Sequence, residues 1–267
     1  MMRRAALLLI GLAVSACTHD VPAHRGAIRV EAKGFEAREP DIAAVCLSAV
    51  GELQKFCPEL PTENVVIVRG KKGPITLFQR NTRREIVVQL DTGKTFWSQY
   101  AYQVAHELCH VHCGFQPGPA DNHWFEEAVC ETASLCCLRA MAKSWATQPP
   151  YPNWQSYAPA LGKYADDVIA RRTYKGEFET KGLPRFYRDH EAEFRANATD
   201  RELNGAVALA LLPLLEEKPT RWAAFRWLNA TPRPKNESFA AYLARWEANT
   251  PPAHQETVRE VRGLFGL

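Results

Sequence analysis

Three residues in the stretch "AHELCHVHCG" carry chemistry by type and spacing: His106, Glu107 and His110, an H-E-x-x-H pattern. On a helix, residues four apart share a face, so both imidazoles can meet a single ion. Zinc accepts neutral imidazole nitrogens, and a helix fixes two such donors without ordering a loop. Glu107 is turned about 100° around the helix axis from His106. Its carboxylate then stands beside the ion rather than on it, where it can take a proton from water and return it to a leaving amine. The expectation is a Zn2+ site held by His106 and His110, with Glu107 as its catalytic base and acid.

Such a site needs a third protein ligand. The longer motif H-E-x-x-H-x-x-G-x-x-H fails twice, because Cys113 and Gln116 stand at its last two places. His112 is two residues from His110 and points elsewhere. His123 is a candidate at an expected helix start. The run "HWFEEAVCET" offers carboxylates instead, and Glu127 and Glu131, four residues apart, share a helix face.

Residues 85 to 140 resemble the gluzincin metallopeptidases. In that group a second helix supplies a glutamate ligand within a Trp-Leu-x-Glu-Gly or similar run, onto which Trp124, Phe125, Glu126, Glu127 and Ala128 fall. The resemblance makes Glu127 the third metal ligand. An acidic residue four positions on commonly holds the first histidine, which assigns Glu131 to the free N–H of His106. Two departures stand out: Ala128 replaces the frequent glycine, and Glu126 is a competing carboxylate. Peptide substrates of the group pair with an edge strand, for which "EIVVQL" is the counterpart. A tyrosine or histidine that stabilises an oxyanion would come from Tyr151, Tyr157, Tyr164, Tyr174, Tyr187 or His190.

The elements that must position these residues are legible from periodicity. "NVVIVRG", "PITLFQR" and "EIVVQL" are short β-branched runs separated by "KKGP" and "NTRR", and read as a small antiparallel or mixed sheet. From Thr95 the spacing is helical, with Gly114 as a stop, and a second helix runs from about Asn122 through Ala142. Helical patterns dominate the remainder, where several tryptophans read as packing surface. The fold class expected is α+β, zincin-like, with a catalytic core at 39–195 and a helical C-terminal region at 196–267.

The chain has 267 residues, 46% of them hydrophobic and 24% charged, which allows a sizeable core. A net charge of +3 gives no reason to expect a nucleic-acid partner. "MMRR" followed by "AALLLIGLAVSA" has the form of a signal peptide over residues 1–16, too short to span a bilayer. "VSAC" resembles a bacterial lipobox, which makes Cys17 a lipidated residue and 17–38 a tether. The protein is then exported and held at a bacterial membrane by its lipid, facing the periplasm. Export permits disulfides, but seven cysteines remain once Cys17 is set aside, an odd number. A Cys109–Cys130 bridge between the two site helices is one expectation, and two small buried residues the other.

The functional expectation is a membrane-tethered zinc peptidase acting on peptide or protein substrates of the cell envelope. Two rivals remain. One is a non-catalytic lipoprotein using the same scaffold as a binding or assembly module, against which an intact Glu107 argues. The other is a structural zinc site, which normally closes with four protein ligands.

Overall fold

The computed structural model describes residues 26–267 apart from Glu59 and Thr62. The expected signal peptide at 1–16, Cys17 and the first part of the tether lie outside the described residues. The architecture is α+β: a small mixed sheet of four strands against a predominantly helical body.

The strands are β1 (Ile28–Val30), β2 (Val65–Arg69), β3 (Ile75–Leu77) and β4 (Ile86–Leu90), in the order β1-β2-β4-β3. β1 and β4 both run parallel to β2, with Ile28 and Ile86 each beside Val65, and only β3 is antiparallel, to β4. Of the antiparallel and mixed readings of the three β-branched runs, the sheet takes the mixed one. Alternation along a strand reports which face is buried and carries nothing about a neighbour's direction. The expected tether is corrected, because residues 28–30 are a sheet strand. The Arg29 guanidinium fastens that strand by donating to both oxygens of Glu85, at 3.0 and 2.7 Å. Finally, "EIVVQL" is not the edge. Its strand, β4, lies between β2 and β3, and the free edge nearest the site belongs to β3.

The helix α1 (Glu39–Gln54) packs along α2 (Trp97–His112), which carries the H-E-x-x-H run. α2 ends because Gly114 takes φ +69, a left-handed value that a side chain resists, and Phe115 N–H then closes back on the His110 carbonyl at 3.1 Å. The chain returns as α3 (His123–Trp145), antiparallel to α2 and covered also by α1, α4 (Ala158–Ala170) and α7 (Arg201–Glu217). With neighbours on all sides, α3 buries most of its length. Asp200 caps α7, its Oδ1 accepting from the amides of Glu202 and Leu203 at 3.0 and 3.1 Å.

The remaining helices are α5 (Lys175–Lys181), α6 (Leu183–Ala196), α8 (Phe239–Asn249) and α9 (Gln255–Phe265), with 3-10 turns at Pro152–Tyr157, Pro219–Trp227 and Pro252–His254. The expected division at residue 195 does not separate two cores. Trp124 on α3 lies 4.3 Å from Phe194 and 4.6 Å from Phe239, ring centre to ring centre, in one continuous apolar cluster. The tryptophans expected as packing surface include Trp222 and Trp246, both buried here. Among the described residues, no helix is long and apolar enough to cross a membrane.

Candidate metal centre

Antiparallel packing sets α2 and α3 in a ladder whose rungs step by four residues on each helix. Tyr102 meets Glu131, His106 meets Glu127, and His110 meets His123. The ladder opens into a cleft of about 510 Å³, walled on one side by β3 and on the other by the start of α7.

On the middle rung, His106 Nε2 lies 3.2 Å from Glu127 Oε2. His110 Nε2 is 3.6 Å and His123 Nε2 3.2 Å from Glu127 Oε1. The structure therefore brings together His106, His110 and Glu127, as the sequence reading expected, and adds His123. Glu107 is almost fully buried, and its Oε2 accepts from the Thr76 hydroxyl of β3 at 2.7 Å while its carboxylate lines the cleft.

Glu131 does not hold His106. It sits one rung away, where the Tyr102 hydroxyl and the buried Arg172 guanidinium take its carboxylate. The histidine that is held from behind is His110. Its Nδ1 lies 2.7 Å from Glu126 Oε1, and Glu126 Oε2 in turn accepts from Asn229 Nδ2 at 2.8 Å. A proton on Nδ1 facing that carboxylate leaves Nε2 as the nitrogen turned towards Glu127. Glu126, which sequence reading had as a competitor of Glu127, thus has an orienting position. Arg233 completes the surround, 3.6 Å from Glu126 Oε2 and 3.3 Å from His123 Nδ1.

The electrostatics favour a cation. Burial alone would raise the Glu126 and Glu127 carboxyls, but hydrogen bonds from the imidazoles outweigh it and hold both well below the usual carboxylate range. Burial would lower His110 and His123, yet the same carboxylates push them up to about 10 and about 9. In this chain protons on imidazole balance two buried negative charges, which a divalent cation can do equally well. Imidazole nitrogens with a carboxylate oxygen suit zinc. The residues present fit such an ion.

Cys130 is a competing donor, since one nitrogen each of His106 and His110 and the Cys130 sulfur all lie within 4.8 Å of one another. Metal-binding sulfur must be thiolate. Burial, and then the neighbouring Cys109 and Cys113, push the Cys130 thiol well above its ordinary value, whereas Glu127 is held well below the usual carboxylate range and places Oε2 3.2 Å from His106 and Oε1 3.6 Å from His110. The seven described cysteines are all free thiols, so the Cys109–Cys130 bridge is not formed, and both residues are small buried groups in the interior.

His112 lies outside the site, its Nε2 against the Trp222 carbonyl at 2.9 Å. Of the residues offered for oxyanion stabilisation, Tyr164 lines the cleft. His190 is occupied by Glu177 and Glu193, and Tyr187 belongs to the aromatic core. Sequence reading weighed His123 only as a candidate and missed Thr76 and Asn229. For His123 a signal existed: His123 and Glu127 are four apart on one helix, the same spacing as His106 and His110. Searches of protein-family models, of curated proteins and of solved structures find no match to this chain.

Proposed function

We propose that the chain is a zinc-dependent peptidase of gluzincin type, tethered by a lipid on Cys17 to a bacterial membrane and facing the periplasm. The observation that carries the proposal is the convergence of His106, His110 and Glu127 at 3.2 and 3.6 Å beside the buried, Thr76-bonded carboxylate of Glu107. A site that served only to hold an ion would have no use for that carboxylate.

When bound, zinc supplies Lewis acidity that polarises a peptide carbonyl and acidifies water. His106, His110 and Glu127 hold it. Glu107 accepts the proton of the attacking water and delivers it to the leaving amine. Thr76 keeps the Glu107 carboxylate aimed during that transfer. A peptide in extended form can pair with the free edge of β3, and the exposed Ile75 and Phe78 beside the cleft favour apolar side chains.

The test is zinc stoichiometry of the detergent-solubilised full-length protein, with cleavage of a mixed peptide library. One zinc per chain is expected, lost in His110→Ala and Glu127→Ala and kept in Cys130→Ser. Glu107→Gln is expected to keep zinc and abolish cleavage. A parent that binds zinc but cleaves nothing would shift the reading to a binding or assembly module. A parent that binds none would remove the metal site altogether.

A further inference from the structure

On the peptidase reading above, we infer that the cleft end formed by Lys72 and Arg201 binds a substrate carboxylate on the C-terminal side of the cleaved bond. A free chain terminus and an acidic side chain both supply that group.

The two ends of the cleft differ in chemistry. At one end Phe78 stacks on Phe115, ring centres 5.4 Å apart, and the Arg80 beside them is committed to Glu63 at 2.7 and 2.9 Å. At the other end Lys72 and Arg201 line the wall, and neither head group makes an ion pair or hydrogen bond among the described residues. The carboxylates near them are already taken. Glu131 serves Tyr102 and the buried Arg172, and Asp91 accepts from Arg69 at 2.6 Å and from the Gly73 amide at 2.9 Å. Two positive charges are left uncompensated at this end.

Geometry brings them together. A Cβ placed on Gly73 would stand 3.6 Å from Arg201 Nη2, so the guanidinium reaches from α7 to the turn ahead of β3. Lys72 is the residue before that glycine. The Arg201 carbonyl accepts from Arg172 at 3.0 Å, which ties the start of α7 to the Glu131 rung. That rung is one turn of α2 beyond His106, a step of about 6 Å and the span of about two extended residues.

Chain direction follows from the same polarity. β3 runs from Ile75, close to the cationic turn, towards Phe78 at the apolar end. A peptide lying antiparallel on its free edge therefore points its C-terminus at Lys72 and Arg201. A peptide lying parallel would bring its N-terminal ammonium against two cations, which costs binding. Arg201 can take a carboxylate through two parallel hydrogen bonds, and Lys72 adds a point charge.

The test uses zinc-loaded, detergent-solubilised full-length Glu107→Gln, which should bind peptides without cutting them, read by fluorescence anisotropy. The probes are N-terminally labelled mixed peptides ending in a free carboxylate or in an amide, and a third, amidated set with one aspartate near its end. The acid set should bind at least about 10-fold tighter than the amide set, as for a hydrogen bond to a charged group. Arg201→Gln and Lys72→Gln should each lower that ratio, and together bring it to about one, with zinc content at the parent's level. Both side chains are exposed, so neither change disturbs the core. If the amidated aspartate set binds as tightly as the acid set, the carboxylate site stands and its ligand is an acidic side chain. Equal binding of all three sets by zinc-loaded protein would overturn the inference and leave the peptidase reading intact. A ratio unchanged in the double variant would overturn it too. A protein that holds no zinc, or holds zinc and binds no peptide, removes the peptidase reading and this inference together.

Discussion

Glu126 Oε1 lies 2.7 Å from Nδ1 of His110, and this carboxylate, not that of Glu131, orients a histidine of the H-E-x-x-H run. Its other oxygen is fixed by Asn229, which also donates to the Cys113 carbonyl at 3.1 Å and so ties the pair to the end of α2. Outer partners of this kind set the tautomer and direction of a ligand ring. Glu126→Gln and Asn229→Ala should each weaken zinc binding by roughly 10- to 100-fold without removing a ligand. Competition against a chromogenic chelator measures this. Glu131→Gln should leave the zinc affinity within about threefold, because its carboxylate serves Tyr102 and Arg172.

Thr76 links the sheet to the chemistry. Its hydroxyl donates to Glu107 Oε2 at 2.7 Å and approaches the Glu107 carbonyl at 3.1 Å. Thr76→Val keeps the shape and removes the donor. Zinc content should be unchanged, and kcat should fall by roughly 10- to 100-fold because the base is no longer held in line. A parallel loss of zinc would mean instead that Thr76 supports the whole site.

What could be read from sequence was local. The H-E-x-x-H face, the Gly114 stop and the second helix depend on spacing within one segment, and each is found where periodicity puts it. The partners that depend on the register between segments were not legible. Glu127 and Glu131 share a face of α3, but only the antiparallel register with α2 decides that Glu131 meets Tyr102 rather than His106. Asn229 reaches Glu126 from 103 residues away, and no pattern near either residue announces it. Strand direction, open between antiparallel and mixed, was not legible for the same reason. β2 and β4 read as β-branched runs whether they lie parallel or antiparallel.

The C-terminal helices pack into the same apolar cluster as the site helices. Phe239 on α8 packs 4.6 Å from Trp124, 5.4 Å from Phe125 and 4.8 Å from Phe265, ring centre to ring centre, with 1% of its surface exposed. Phe239→Ala should cost about 3–5 kcal/mol. Denaturant unfolding should show one transition by both tryptophan fluorescence and circular dichroism. Two separated transitions would indicate that the region after residue 195 folds on its own.

Acid should loosen the sheet before it reaches the site. Arg29 on β1 donates two hydrogen bonds to Glu85, and Asn81 Nδ2 adds a third at 2.7 Å. The Arg29 hydrogen bond, opposed by burial, holds the Glu85 carboxyl at about 2, below its ordinary 4.5. A carboxyl whose value is lowered on folding contributes stability above its unfolded value, and that contribution disappears as pH falls through the folded one. The Glu85 contribution should therefore be complete above about pH 4.5 and lost between there and about pH 2. Because Arg29 is about one-third exposed, solvent screens the pair and its worth is about 1 kcal/mol. Urea unfolding of Glu85→Gln should show that loss at pH 7, and its difference from the parent should shrink towards zero by pH 2. A difference that persists at pH 2 would assign the effect to packing rather than to charge. Hydrogen exchange should place the loss at β1, whose one strand neighbour among the described residues is β2.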